Sequence, residues 1–163
     1  MLIDVILLAL LYTARVYAGS AATAIPPSDW LLAFCLFAFT ALALMKRYTE
    51  LLMRIDNQLP DATNRNYRKD DLPVIASLAA AAGVNMVMVF ALYTQSPEVA
   101  LMYRHPHVLW LLCPLLLYLI SRALLMAHRR LMHEDPVVWA LKDRICRIGI
   151  VVAGAIISAA AFL

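Results

Sequence analysis

Three ionisable side chains close together carry the most specific chemistry in this sequence. In Met45-Lys46-Arg47-Tyr48-Thr49-Glu50-Leu51, Lys46 and Glu50 are four residues apart and Arg47 and Glu50 are three apart. A helix brings all three to one side. Two cations beside a carboxylate at a membrane boundary suit a diphosphate and its divalent metal. The cations neutralise phosphate oxygens, and the carboxylate ligates Mg²⁺ that keeps most of its waters. The same spacing also describes a cationic flank with an intrahelical salt bridge, and spacing alone favours that plainer arrangement.

Other groups extend the field. Arg15 lies inside an apolar stretch, with Asp4 eleven residues before it. About three helical turns separate them, so they share a face roughly 16 Å apart. Ionisable groups inside a span are costly and mark sites, so this face is expected to point into the bundle. There Arg15 either reaches an anionic ligand or forms a structural pair. Asn64-Arg65-Asn66-Tyr67-Arg68-Lys69-Asp70-Asp71 is dense in phosphate-capable groups, although its two aspartates also suit a helix cap. The run His128 to Asp135 has the residue types of a metal site without a known metal spacing, and reads better as a solvated interfacial segment. Arg122 can snorkel to the inner surface, and Asn85 suits an interhelical hydrogen bond. Cys35, Cys113 and Cys146 have neither metal nor redox spacing and read as small buried hydrophobes. No Ser/His/Asp arrangement, glycine-rich phosphate loop or CxxC is present.

These residues need a scaffold, and the composition dictates its kind. Of 163 residues, 64% are hydrophobic and 15% charged, against about 45–50% and about 25% in soluble domains. The net charge of +3 is too small for a polyanion-binding protein. Soluble enzymes, nucleic-acid modules and disulfide scaffolds are excluded. The apolar residues fall in blocks long enough to cross about 30 Å of hydrocarbon. The expected architecture is all-α: a single transmembrane domain of five spans, at about 2–24, 30–54, 71–95, 107–127 and 144–163. Ile25-Pro26-Pro27-Ser28-Asp29 ends the first span and caps the second. Asp71 caps the third and Pro73 sits in its first turn. Pro114 is expected to kink the fourth. The fifth is expected to grow out of an amphipathic run from Pro136 to Arg147. Ala79 with Gly83, and Gly149 with Ala153, have the spacing that lets helices pack closely.

Lysine and arginine placement sets the topology. Lys46, Arg47, Arg54, Arg65, Arg68 and Lys69 surround the loop between spans two and three. Arg129, Arg130, Lys142, Arg144 and Arg147 lie between spans four and five, and the two opposite loops hold only Arg104. This bias predicts a cytoplasmic-membrane protein of bacterial type, with its N-terminus inside and its C-terminus outside. Trp30, Tyr93, Tyr103 and Trp110 then form an outer aromatic belt.

The chain resembles the C-terminal half of the UbiA-type membrane prenyltransferases, in the branch similar to decaprenyl-phosphate phosphoribosyltransferase. The resemblance rests on Leu11-Tyr12-Thr13-Ala14-Arg15-Val16-Tyr17-Ala18-Gly19, Lys46-Arg47-Tyr48-Thr49-Glu50-Leu51, Asp70-Asp71-Leu72-Pro73 and Ala91-Leu92-Tyr93-Thr94-Gln95-Ser96-Pro97-Glu98-Val99. The stretches Leu111 to Arg122 and Asp135 to Arg144 continue it in order. It implies the fifth to ninth helices of a nine-helix bundle around a central cavity. It further implies Mg²⁺ held by acidic motifs, and transfer from a polyprenyl diphosphate, or of phosphoribosyl from its pyrophosphate to a polyprenyl phosphate. Carried onto matching positions, Arg15, Lys46, Arg47 and Tyr67 bind the diphosphate, and Glu50 and Asp70 hold the metal.

The sequence departs from that pattern. No NDxxD motif occurs, the second motif lacks its DxxxD form, and five spans leave four family helices unaccounted for. Half of a metal site seldom binds a catalytic metal, which puts activity of this polypeptide alone in question. Met1 at the start of a span fits a truncated or split reading frame, and also a naturally short protein. Besides membrane lipid, the expected partner is therefore the other half in trans. The rival reading is a non-catalytic membrane-embedded subunit or remnant that packs through its Ala/Gly faces. A transporter is less favoured, since few carboxylates lie within the spans and no inverted repeat is visible.

Overall fold

A computed structural model describes residues 2–60 and 67–162. Its regular elements are all helical: α1 Ile3–Thr23, α2 Asp29–Asp56, α3 Leu72–Tyr93, α4 Pro97–Met102, α5 Leu112–His128, α6 Pro136–Lys142 and α7 Arg144–Phe162. Short 3₁₀ turns, Lys69–Asp71 and Pro106–Leu111, lead into α3 and α5. Five segments are long and apolar enough to cross a membrane: Ile3–Thr23, Asp29–Asp56, Lys69–Tyr93, Pro106–His128 and Arg144–Phe162. A hydrocarbon solvent offers no partners for backbone N–H and C=O groups, so helices that satisfy them internally are the form these apolar blocks must take.

The helix ends follow local chemistry. α1 stops at Thr23, and its last carbonyls are closed by a left-handed Ala24. Pro26 and Pro27 then lead to Ser28, whose hydroxyl accepts from the Leu31 N–H at 3.2 Å and so caps α2. Asp71 occupies the N-cap position of α3, with Pro73 in the first turn. Its carboxylate turns back to accept from the Arg68 N–H at 2.9 Å rather than forward into the helix.

Two expectations change. Pro114 stands at the start of an α-helix rather than in the middle of one. It lies in the first turn of α5, where its missing N–H leaves no broken bond. The irregular backbone lies before it, in the 3₁₀ turn that opens at Pro106. The amphipathic run from Pro136 also does not flow into the last span. The backbone is extended at Asp143 (φ −68°, ψ 127°), which separates α6 from α7. Within the loop at the opposite end, Pro97–Met102 forms the short helix α4.

Packing is densest between α2 and α3, with α1 laid on α2 and α5 between α3 and α7. One apolar core joins Val5, Leu44, Met45, Tyr48, Tyr67 and Ile75 near the lysine- and arginine-rich end. A second, around Val99, Leu109, Leu112 and Ala160, closes the other end. The small-residue positions allow the close approaches. A Cβ on Gly83 would lie 2.7 Å from Ile120 Cγ1, and one on Gly149 would lie 2.9 Å from Leu119 Cδ2. Gly154 meets nothing within 4 Å. Gly83→Val is therefore expected to lower stability by about 1–3 kcal/mol through overpacking against α5, while Gly154→Val leaves it close to wild type. Thermal unfolding of the detergent-solubilised chain distinguishes the two.

Candidate functional site

The site grows from Arg47, on the stretch of α2 that leaves the apolar core. Leu44, Met45 and Tyr48 around it are buried, and Arg47 itself is only 8% exposed. A guanidinium in that position cannot shed its charge and needs anionic partners. Asp4, from the first turn of α1, supplies one: its Oδ2 lies 2.9 Å from Arg47 Nε. The two atoms face each other as ions, without an aligned hydrogen bond. Glu50, one turn along α2, accepts from Arg47 Nη1. Tyr67, fully within the core just ahead of α3, donates its hydroxyl to Asp4 Oδ1 at 2.6 Å and accepts from the Leu2 N–H at 3.0 Å. Burial and then the hydrogen bond to Asp4 push the Tyr67 phenol above its ordinary range, so it remains a proton donor. One network thus ties α1, α2 and the segment before α3.

Arg47, Glu50 and Tyr67, expected on one site, do converge. Lys46 turns away, because adjacent helical positions point about 100° apart. Its Nζ lies 3.0 Å from Asp135 Oδ2, with both side chains about two-fifths exposed. Burial alone would raise the Asp135 carboxyl, but Lys46 and the Val137 N–H hold it below the usual range. Asp135 also caps α6 through that N–H. Arg15 is exposed, and its guanidinium carbon sits 5.2 Å from the centre of the Tyr12 ring. The expectation that the Asp4 and Arg15 face points inward as a whole is corrected: its Asp4 end is met by α2 through Arg47, and Tyr12 packs on Phe39 of α2 with ring centres 5.3 Å apart, but Arg15 itself stays exposed. Asp70 is exposed on the 3₁₀ turn. Asn64, Arg65 and Asn66 lie outside the described residues.

Magnesium finds little support in this donor set. Glu50 is engaged by Arg47, and among the described residues no three His, Cys, Asp or Glu side chains gather as a metal site. Among the described residues this donor set does not by itself fit a resident divalent ion.

Several ion pairs escaped the sequence reading. Arg122 reaches the junction before the last span, where its Nη2 donates to Asp143 Oδ1 at 3.0 Å and its Nε lies 3.4 Å from Oδ2. Asp143 Oδ2 also accepts from the Ile145 and Cys146 N–H groups, capping α7. The Arg122 bond, against the opposing effect of burial and with help from the Cys146 N–H, holds the Asp143 carboxyl below its ordinary value. The Tyr48 hydroxyl and His128 Nδ1 share a 2.8 Å hydrogen bond. Arg130 pairs with Asp56 at 2.6 Å, and Lys142 with Glu134 at 2.6 Å. The His128–Asp135 run is thus ion-paired across the surface. Asp135-Pro136 and Asp143, each standing before a helix, were readable as caps, not as ion-pair partners. Cys35 and Cys146 are buried free thiols and Cys113 is half-buried.

The chain is similar to two curated rhizobial proteins. One is nodulation protein NoeC of Azorhizobium caulinodans, 34% identical over 151 residues, which cover 91% of this chain and 49% of the relative. The other is uncharacterized protein y4nM of Sinorhizobium fredii, 30% identical over 161 residues, which cover 97% of this chain and 31% of the relative. The chain therefore spans about half the length of the first and about a third of the second. No family model matches it. No solved structure matches it. The similarity covers nine-tenths or more of the chain, and the chain is a multi-pass helical membrane protein.

Two measurements test this geometry. Arg47→Gln leaves Asp4 and Glu50 facing each other without their cation, and is expected to cost about 3 kcal/mol of stability. Asp135→Asn, which removes a half-exposed pair, costs about 0.5 kcal/mol; equal losses for the two would refute the ranking. For Asp143, the folded carboxyl titrates below its ordinary value of 3.8. Its contribution is complete above that value and drains away as pH falls through the lower, folded one. Acid unfolding followed by circular dichroism should therefore begin below about pH 4, and at a higher pH in Asp143→Asn.

Proposed function

We propose that this chain is one helical half of a UbiA-type membrane transferase. In this reading it transfers a prenyl group from a polyprenyl diphosphate, or phosphoribosyl from its pyrophosphate to a polyprenyl phosphate. The observation that carries it is a buried arginine, pre-oriented by two carboxylates at the cationic end of a five-span bundle, within a chain whose matching stretches run in the family's order. Heterolysis of the bond from carbon to the leaving diphosphate oxygen sends its electron pair to the diphosphate. The acceptor then attacks that carbon and gives up a proton. Arg47 acts on the departing charge by exchanging its carboxylate partners for phosphate oxygens, and a fixed donor aimed at developing charge is what such a step requires. Lys46 faces Asp135 on another side of α2 and joins only by leaving that pair.

The remaining helices complete the bundle, on the same polypeptide or in trans. Arg15 supports it, because an arginine more than two helical turns from either end of a span is costly against lipid and is expected to meet protein or ligand. The relatives' greater length agrees with it. The lysine and arginine bias orients the catalytic end toward the cytoplasm of a bacterial inner membrane, with the N-terminus inside and the C-terminus outside. The nodulation name of the Azorhizobium relative does not choose between the two donors.

A second reading has its own support. Lys46 and Arg47 are already paired with acidic side chains, as they would be in a non-catalytic subunit that holds partner helices. The discriminating experiment supplies the other half in trans in vesicles and follows radiolabel from polyprenyl diphosphate or phosphoribosyl pyrophosphate. Lys46→Ala with Glu50→Ala is expected to reduce transfer about 100-fold or more, with assembly of the two halves intact. Undiminished transfer removes these residues from the site. Assembly without any transfer leaves the subunit reading in its place.

A further inference from the structure

The corner where α6 meets α7 carries charge that the ion-pair network does not use. Arg144 and Arg147 are exposed and one turn apart on α7, and among the described residues neither is paired with a carboxylate. Asp143 beside them is committed to Arg122 and to the α7 amides. Cations in the first turn of a helix oppose its dipole, so the helix gains nothing from holding them there. Below them the same stripe continues as Ile148, Val151 and Val152, and the five side chains line a shallow open groove of about 270 Å³. The spacing of 144, 147, 148, 151 and 152 keeps cations and apolar strip on one face. Immediately before the corner, α6 exposes Val137, Val138 and Leu141. Apolar side chains bared on a short helix beside a membrane span suit the headgroup and acyl boundary.

We propose that this corner is a binding site for an anionic phospholipid. The two guanidinium groups hold the headgroup phosphate, and one acyl chain lies along Ile148, Val151 and Val152. The occupant follows from charge complementarity joined to shape. Two unneutralised cations call for an anion, and the apolar strip that runs from them into the membrane calls for a hydrocarbon chain on the same molecule. The site is preformed, because the Arg122–Asp143 pair pins the junction to α5. The inference stands apart from the transfer reaction and does not depend on it.

Native mass spectrometry of the full chain, extracted from vesicles of equal parts phosphatidylcholine and phosphatidylglycerol, tests this. Two arginines at the surface are expected to enrich retained phosphatidylglycerol by about tenfold or more over phosphatidylcholine. Arg144→Gln with Arg147→Gln abolishes the enrichment. Arg129→Gln, which removes an exposed cation at the same end, preserves it. Val151→Ser, which keeps the charge, lowers retention, and excess inorganic phosphate fails to strip the lipid. Equal retention of the two lipids by the unaltered chain overturns the proposal. So does unchanged enrichment in the double variant, or complete release by inorganic phosphate, which would indicate an anion site without a lipid chain. The unaltered chain decides the lipid preference even if a variant fails to fold.

Discussion

A guanidinium that cannot reach water has to be answered by anions from its neighbours, and Arg47 organises one end of this bundle for that reason. Its partners come from different parts of the chain: Asp4 at the start of α1, Glu50 one turn along α2, and Tyr67 through Asp4. Membrane helices lack the hydrophobic drive that gathers helices in water, so directional polar contacts decide which faces meet. α1 shows this most clearly. Little of it is covered, and its firm attachments are Val5 and Ala9 in the packing and Asp4 in the charge network. The same network makes the proposed transfer chemistry conditional. A phosphate would have to compete with carboxylates already in place, so affinity depends on how far Asp4 and Glu50 yield.

Elsewhere the polar end is pinned by pairs that bridge helices distant in sequence. Lys46 reaches Asp135 across 89 positions and Tyr48 reaches His128 across 80. In each case α2 presents a residue to the segment that leaves α5. α2 is therefore the shared wall of the polar end, with adjacent residues serving different neighbours. Asp135 and Asp143 each do two things, capping a helix and pairing with a cation. Helix termination and tertiary docking are thereby set by the same side chains.

Much of the architecture was readable because the bilayer imposes so few options. Five apolar blocks, proline-rich breaks and a Ser28 cap placed the spans to within two residues at each end. Gly83 and Gly149 announced close packing, though not that both approaches involve α5. The site was less legible. Spacing placed Lys46, Arg47 and Glu50 on one side of a helix, but which neighbour each side chain meets is a tertiary fact. Arg47 and Lys46 diverge because α1 lies to one side of α2 and the α6 segment to another. Arg15 was assigned to the interior by the ordinary cost of an intramembrane charge, a rule that speaks of the assembled protein. Within these five helices its side chain faces out. Asp143 was invisible as an ion-pair partner, since nothing local links it to Arg122 twenty-one residues earlier.

The two glycine contacts have a mechanical consequence. Leu119 and Ile120 are consecutive residues of α5, and each is seated against the backbone of a different neighbour, α7 and α3. Consecutive side chains on a helix project about 100° apart, so the two seats fix the azimuth of α5 as two keyways fix a shaft. A twist that relieves one contact drives the other side chain out of its notch. Any motion that α5 makes is thereby restricted to sliding or tilting together with its neighbours, and axial rotation is closed to it.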